Sequence, residues 1–197
     1  MADDRGPDRS VVGTLARLRV TLGFAVGVLV FWLAQPNMRT LAAGVPVAML
    51  GEALRVWASG HLIKSREVTA SGPYRWLAHP LYVGSSVMGL GLAIAAGSAL
   101  AALLVALYLA VTVTAAITRE EAFLRRTFGD RYDRYRRGDR ASALDRDRRF
   151  AFSQALANRE HRAIAGLAIA VLLLVLKATY NDVFWGAAGA HAVGPGG

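Results

Sequence analysis

Cysteine is absent from these 197 residues, which removes disulfides, thiolate zinc sites and cysteine nucleophiles together. Only four histidines occur, His61, His79, His161 and His191, and they are scattered rather than spaced as metal ligands, so no metal is expected. Acid is scarce too. Fourteen Asp and Glu face 23 Lys and Arg, for a net charge of +9. Charge of either sign is nearly missing from several long stretches: all Lys and Arg except Arg39, Arg55 and Lys177 fall within residues 1–19, 64–80 and 118–162. A soluble domain of this size would spread its charge over its whole surface. Segregated charge, with 54% hydrophobic residues and a mean hydropathy of +0.35, points to a polytopic membrane protein. Because the basic residues border apolar spans, anionic lipid headgroups account for them and no nucleic-acid partner is expected.

About 20 apolar residues cross a hydrocarbon core as a helix, and five segments suit that length. They are 18–34, 41–63, 81–98, 99–117 and 163–180, with a polar helical extension over 118–162. The expected fold is therefore all-α, a single transmembrane bundle covering 1–197. The first segment ends at Gln35-Pro36-Asn37, which stops a helix; its length and the lack of a small-residue cleavage site favour a mature span over a signal peptide. The third and fourth form a hairpin around Gly97-Ser98. The fifth is short, so it either spans, with Lys177 snorkelling and Tyr180 and Trp185 at an interface, or lies re-entrant. Five spans place the three basic blocks on one side, which the positive-inside rule makes cytosolic. Gly84, Gly89, Gly91 and Gly97 suit close helix approach in a membrane; Gly89-Leu90-Gly91 reads as packing, since no strand precedes it.

Ionisable residues inside apolar segments stand out. Glu52 and Arg55 share one face of the second span, at a depth where charge is costly. Arg55 can orient a carboxylate or phosphate through paired hydrogen bonds, or it can satisfy an acid within the bundle. The polar stretch Ser71-Gly-Pro-Tyr-Arg-Trp-Leu-Ala-His-Pro-Leu-Tyr-Val-Gly84 lies between the second and third spans, and Glu120-Glu121 follows the fourth.

This combination resembles the membrane methyltransferase superfamily that includes isoprenylcysteine carboxyl methyltransferases and phospholipid N-methyltransferases. The resemblance covers roughly residues 51–135. It rests on the Gly-Pro-Tyr turn, the His-Pro-x-Tyr-x-Gly loop and the Glu-Glu helix start, joined by Gly51-Glu-Ala-Leu-Arg-Val-Trp-Ala58 and Phe128-Gly-x-x-Tyr132-x-x-Tyr135. It implies that S-adenosylmethionine is held at the cytosolic face by Gly72, Pro73, Tyr74, His79, Pro80, Leu81, Tyr82 and Glu120, with Arg55 and Glu121 as catalytic candidates. Members commonly carry Arg before the His; Ala78 stands there in this chain, leaving Arg75 or Arg66 to supply that cation. Adjacent helical residues diverge by about 100°, so one carboxylate is expected on the cofactor and the other, Glu121, on Arg125 at the favourable i,i+4 spacing. Asn158 to Arg162 is expected to close the rim of the site.

The implied activity is methyl transfer to a lipid or small lipophilic acceptor in a membrane, the bacterial inner membrane by expectation. A prenylcysteine-type carboxylate and a small thiol are the alternative acceptors. A small membrane transporter or scaffold using Glu52 and Arg55 as an ion path is the reading from another class.

Overall fold

A computed structural model describes residues 11–63, 68–138 and 149–192, with side chains over 21–63, 68–138 and 149–181. Seven helices occur among them, joined by one 3-10 turn, and no strand. In chain order they are α1 (Val11–Leu33), α2 (Met38–His61), the turn Gly72–Arg75, α3 (Pro80–Ala96), α4 (Ala99–Phe128), α5 (Asp130–Arg136), α6 (Phe152–Ala157) and α7 (His161–Ala192). Each of the five expected spans coincides with a helix. Met38–His61, Ala99–Phe128 and His161–Asn181 are long and apolar enough to cross a membrane, and Thr21–Leu33 and Pro80–Ala95 are shorter apolar helices. Large apolar side chains face outward, among them Phe24, Trp32, Leu50, Leu107 and Leu172, as a bundle solvated by lipid requires.

Two boundaries differ from expectation. α4 continues unbroken past residue 117 to Phe128, so the expected helical extension that carries the acidic pair is one helix with the fourth span. The fifth segment belongs to a helix that runs from His161 to Ala192. Its Lys177 does not end it, because the ammonium donates to the carbonyls of Phe31 and Trp32 at 2.6 and 2.8 Å and lies 5.0 Å from the Phe31 ring. These are carbonyls of the last turn of α1, which lack partners within their own helix.

The tightest packing joins α2 to α3. A Cβ built on Gly44 would lie 2.3 Å from the backbone nitrogen of Ala95, one on Gly51 2.3 Å from that of Met88, and one on Gly91 2.2 Å from that of Ala48. Glycines seven residues apart on each of two antiparallel helices thus bring backbone onto backbone. That is how membrane helices associate when lipid removes the hydrophobic driving force between them. The buried core is correspondingly small-residue, with Ala34, Ala95, Ala96, Ala101 and Ala178 clustered around Leu41 and Leu174. Gly97 takes φ +63° to end α3, Ser98 caps α4, and Asn37 with Thr40 forms a capping box on α2. The α2–α3 pair thereby fixes both ends of the polar connection that carries the motif.

Candidate active site

The connection enters the site at Ser71. Gly72 sits at φ +56°, and a Cβ there would lie 2.5 Å from the His61 ring, so both conformation and space call for glycine. Pro73 and Tyr74 are buried in the turn that follows. Tyr135, at the end of α5, donates its hydroxyl to the carbonyls of Tyr74 and Leu77 at 3.0 and 3.3 Å, clamping the turn from below. Burial, reinforced by Glu120, Tyr135, Tyr82 and Glu160 around it, pushes the Tyr74 phenol well above its usual range.

His79 stands outside helical geometry before Pro80, and its carbonyl accepts from the backbone N–H groups of Tyr82 and Val83 to start α3. Its ring is 6.0 Å from that of Tyr82, and its Nε2 donates to Glu121 at 3.1 Å. Pro80 is fully buried, and the Leu81 carbonyl accepts from Ser85 at 2.9 Å. Glu121 also receives Arg136 of α5 at 3.0 Å, while Arg125, its expected partner, lies 4.0 Å away and binds Asp133 at 3.3 Å. Arg136 thus puts a cation on Glu121 beside the loop; Arg75 is exposed, and Arg66 lies outside the described residues. Ala78 packs instead against the cluster of Val68, Ala70, Tyr132 and Tyr135. Glu120, one position before, makes no ion pair or hydrogen bond among the described residues.

Arg55 forms a separate cluster. It reaches Glu52 at 3.3 Å, Glu160 at 2.7 Å and the Ser85 hydroxyl, and both acids are buried. Two acids thus share one guanidinium, and neither oxygen of Glu52 has a directed hydrogen bond. Glu160 comes from the polar run before α7. α6 fastens that run to the end of α2: Gln154 donates to the Leu62 carbonyl at 3.0 Å, and Asn158 to the Ser59 and Leu62 carbonyls at 2.8 Å each. Arg159, at φ +63°, makes the sharp turn that delivers Glu160. Glu160 was not among the residues expected from sequence, although the polar Asn158–Arg162 run ahead of an apolar span marked the region.

Between α1, α3, α4 and α7 lies an apolar chamber of about 780 Å³. Tyr82 and Ser85 line one end, and Phe31 and Ala96 the other. The Tyr82 end meets the His79–Glu121 pair, while Ser85 links it to Arg55. The polar loop and the hydrocarbon chamber therefore share a boundary on the first turns of α3. Among the described residues no group of three His, Cys, Asp or Glu could hold a metal.

Residues 18–131 match the phospholipid methyltransferase family, a stretch that contains the whole motif loop and the acidic pair. The protein-S-isoprenylcysteine O-methyltransferase of Schizosaccharomyces pombe is 34% identical over 82 residues, covering 39% of this chain and 35% of the yeast protein. No solved structure matches. With more than half of the chain inside the match, and with helices that suit a bilayer, this integral membrane protein belongs to the phospholipid methyltransferase family.

Proposed function

We propose that the protein transfers a methyl group from S-adenosylmethionine to a lipid or small lipophilic acceptor. The observation that carries this reading is the shared boundary: a loop rich in polar and aromatic groups meets an apolar chamber at Tyr82 and Ser85. The side chains suit the cofactor. Glu120 is a carboxylate free of described partners beside the loop, able to accept from ribose hydroxyls or an amino group. The tilted His79–Tyr82 rings offer faces to a cation or an adenine. When bound, the cofactor supplies an electrophilic methyl on a sulfonium. The chain's own residues then have to hold it in line with the acceptor and keep water away.

Glu121, fixed by His79 and Arg136, and Arg55, fixed by Glu52 and Glu160, stand on either side of that boundary as the catalytic candidates. A phospholipid amine has to lose a proton before it attacks, and Glu121 is our candidate for the base that takes it. The site end of the bundle faces the cytosol in this reading, with anionic lipid against the basic helix α5.

Calorimetry with detergent-solubilised protein tests the cofactor: saturable binding of S-adenosylmethionine at one per chain is expected, and none to folded protein would end the methyltransferase reading. For orientation, Arg75→Cys and Met38→Cys occupy exposed positions at opposite ends of the bundle. In intact cells an impermeant maleimide should label the second and spare the first; the opposite pattern would invert the topology.

A further inference from the structure

The chamber is not uniform along its depth. From Tyr82 to Ala96, α3 descends about 21 Å at roughly 1.5 Å per residue. Midway, Tyr108 of α4 reaches to α1, where its hydroxyl would lie 2.6 Å from a Cβ built on Gly23. Only a glycine in α1 leaves room for the phenol, and Tyr108 lines the chamber at that level. It stands about 12 Å from Ala116, the chamber residue of α4 closest to the acidic pair. Two further glycines hollow the walls. A Cβ at Gly27 or at Gly166 would meet nothing within 4 Å. Gly166 lies near the start of α7, on the site side of Tyr108, and Gly27 lies one helical turn beyond Gly23, on the far side.

Tyr82 and Ser85 stand at the site end, and the remaining lining is largely apolar. Thr112 donates within its own helix to the Tyr108 carbonyl at 2.6 Å, so its hydroxyl is already satisfied. The occupant that suits such walls is a single hydrocarbon chain with its polar end at Ser85.

We propose that Tyr108 is the residue that selects the length of the acceptor's hydrocarbon tail, dividing the chamber into a near compartment below the site and a far compartment beyond the phenol. An extended chain covers about 1.2 Å per bond, so the near compartment takes a tail of about ten bonds. A longer tail has to displace the phenol or leave the chamber sideways into lipid. The inference rests on the acceptor reading above, and its test separates the two.

The probes are two lysophosphatidylethanolamines, with chains of about 8 and about 16 carbons, each ending in a photoactivatable diazirine. Methyl transfer to each is measured, and labelled positions are mapped by mass spectrometry independently of turnover. In the parent protein the short chain is methylated about tenfold better, and the long chain's label is absent from Phe31 and Leu92. Tyr108→Ala abolishes the preference and brings the long chain's label to those positions. Adding Gly27→Leu to Tyr108→Ala removes that label and restores the preference for the short chain. Gly166→Leu, filling the near compartment, reduces labelling by both probes.

Far-compartment labelling in the parent protein, unchanged by Tyr108→Ala, would overturn the proposal, as would labelling of the chamber by neither probe. The expected labelling pattern without methylation of either probe would uphold Tyr108 as the selector of tail length and reject the lysolipid amine as acceptor.

Discussion

His79 and Glu121, 42 residues apart in sequence, meet at 3.1 Å across the seam between the motif loop and α4. Their contact ties the start of α3 to the acidic pair, and Arg136 joins it from α5 at 3.0 Å. Glu121 is thereby a fixed carboxylate, whereas Glu120 makes no ion pair or hydrogen bond among the described residues.

The two acids should therefore separate on substitution. Glu120→Gln is expected to weaken binding of S-adenosylmethionine by a charged hydrogen bond, about 1.5–3 kcal/mol or roughly ten- to a hundredfold, with little change in melting temperature. Glu121→Gln should lower turnover at saturating cofactor and destabilise the fold, because both His79 and Arg136 lose their anion. Calorimetry and thermal unfolding on both variants check this. Equal and small effects would reduce the pair to a solvated helix surface.

Removing Arg55 should be far worse than removing either of its acids. Arg55→Ala leaves Glu52 and Glu160 buried without a counter-charge, a cost of about 3–5 kcal/mol for a broken buried pair. Glu52→Gln leaves Glu160 as the acid on the guanidinium, and the Glu52 oxygens have no directed hydrogen bonds to lose. It should unfold within a few degrees of the parent in a thermal scan, while Arg55→Ala fails to accumulate folded protein.

Substitution at the α2–α3 crossing has no flexible neighbour to move. Gly51→Ala places a methyl 2.3 Å from the Met88 backbone nitrogen and should abolish folding. Gly166→Ala, with nothing near its Cβ, should leave thermal stability unchanged or slightly raised. Size-exclusion profiles and melting curves of the two variants read the contrast directly.

Alkaline pH should weaken the fold through Tyr132. Burial pushes this phenol up to about 12 from its usual 10.0. Above pH 10 the unfolded chain ionises first and binds fewer protons than the folded one, so stability falls as pH rises towards 12, by about 2–3 kcal/mol at most. Below pH 10 the contribution is flat. Its hydroxyl has no hydrogen-bond partner among the described residues, so Tyr132→Phe should be at least as stable at neutral pH and lose less stability on going from pH 9 to 12. Tyr74, also pushed upward by burial, retains part of the loss, which makes the difference between variant and parent the quantity to compare.

Where a feature depends on neighbours in sequence, it could be read in advance. Hydropathy located all five apolar helices, and the turn at Gly72 and the helix start at Pro80 follow from glycine and proline. Features built from distant partners were hidden. Nothing around Arg55 announces Glu160, more than a hundred positions later, and Arg136 reads as one more residue in a basic run until α5 folds back with Tyr132 and Tyr135 inward. The Lys177 region looked like the end of a short segment because a lone ammonium is costly in an apolar helix; its remedy is carried by α1, at the other end of the chain.

That remedy also bears on how the bundle is assembled. α1 leaves the ribosome well before α7, yet Phe31 and Trp32 accept their hydrogen bonds from Lys177. Throughout synthesis of the intervening helices, the end of α1 has polar backbone groups that only water, headgroups or a chaperone can satisfy. α1 can already pack on α4 through Tyr108 against Gly23, and its end on α3 through the Gln35–Ala96 backbone hydrogen bond; the arrival of Lys177 satisfies the two carbonyls that remain. Because α7 supplies one wall, closure of the chamber is a late event in biogenesis, and a nascent chain truncated before residue 177 would present that wall incomplete and the Phe31 and Trp32 carbonyls without their ammonium.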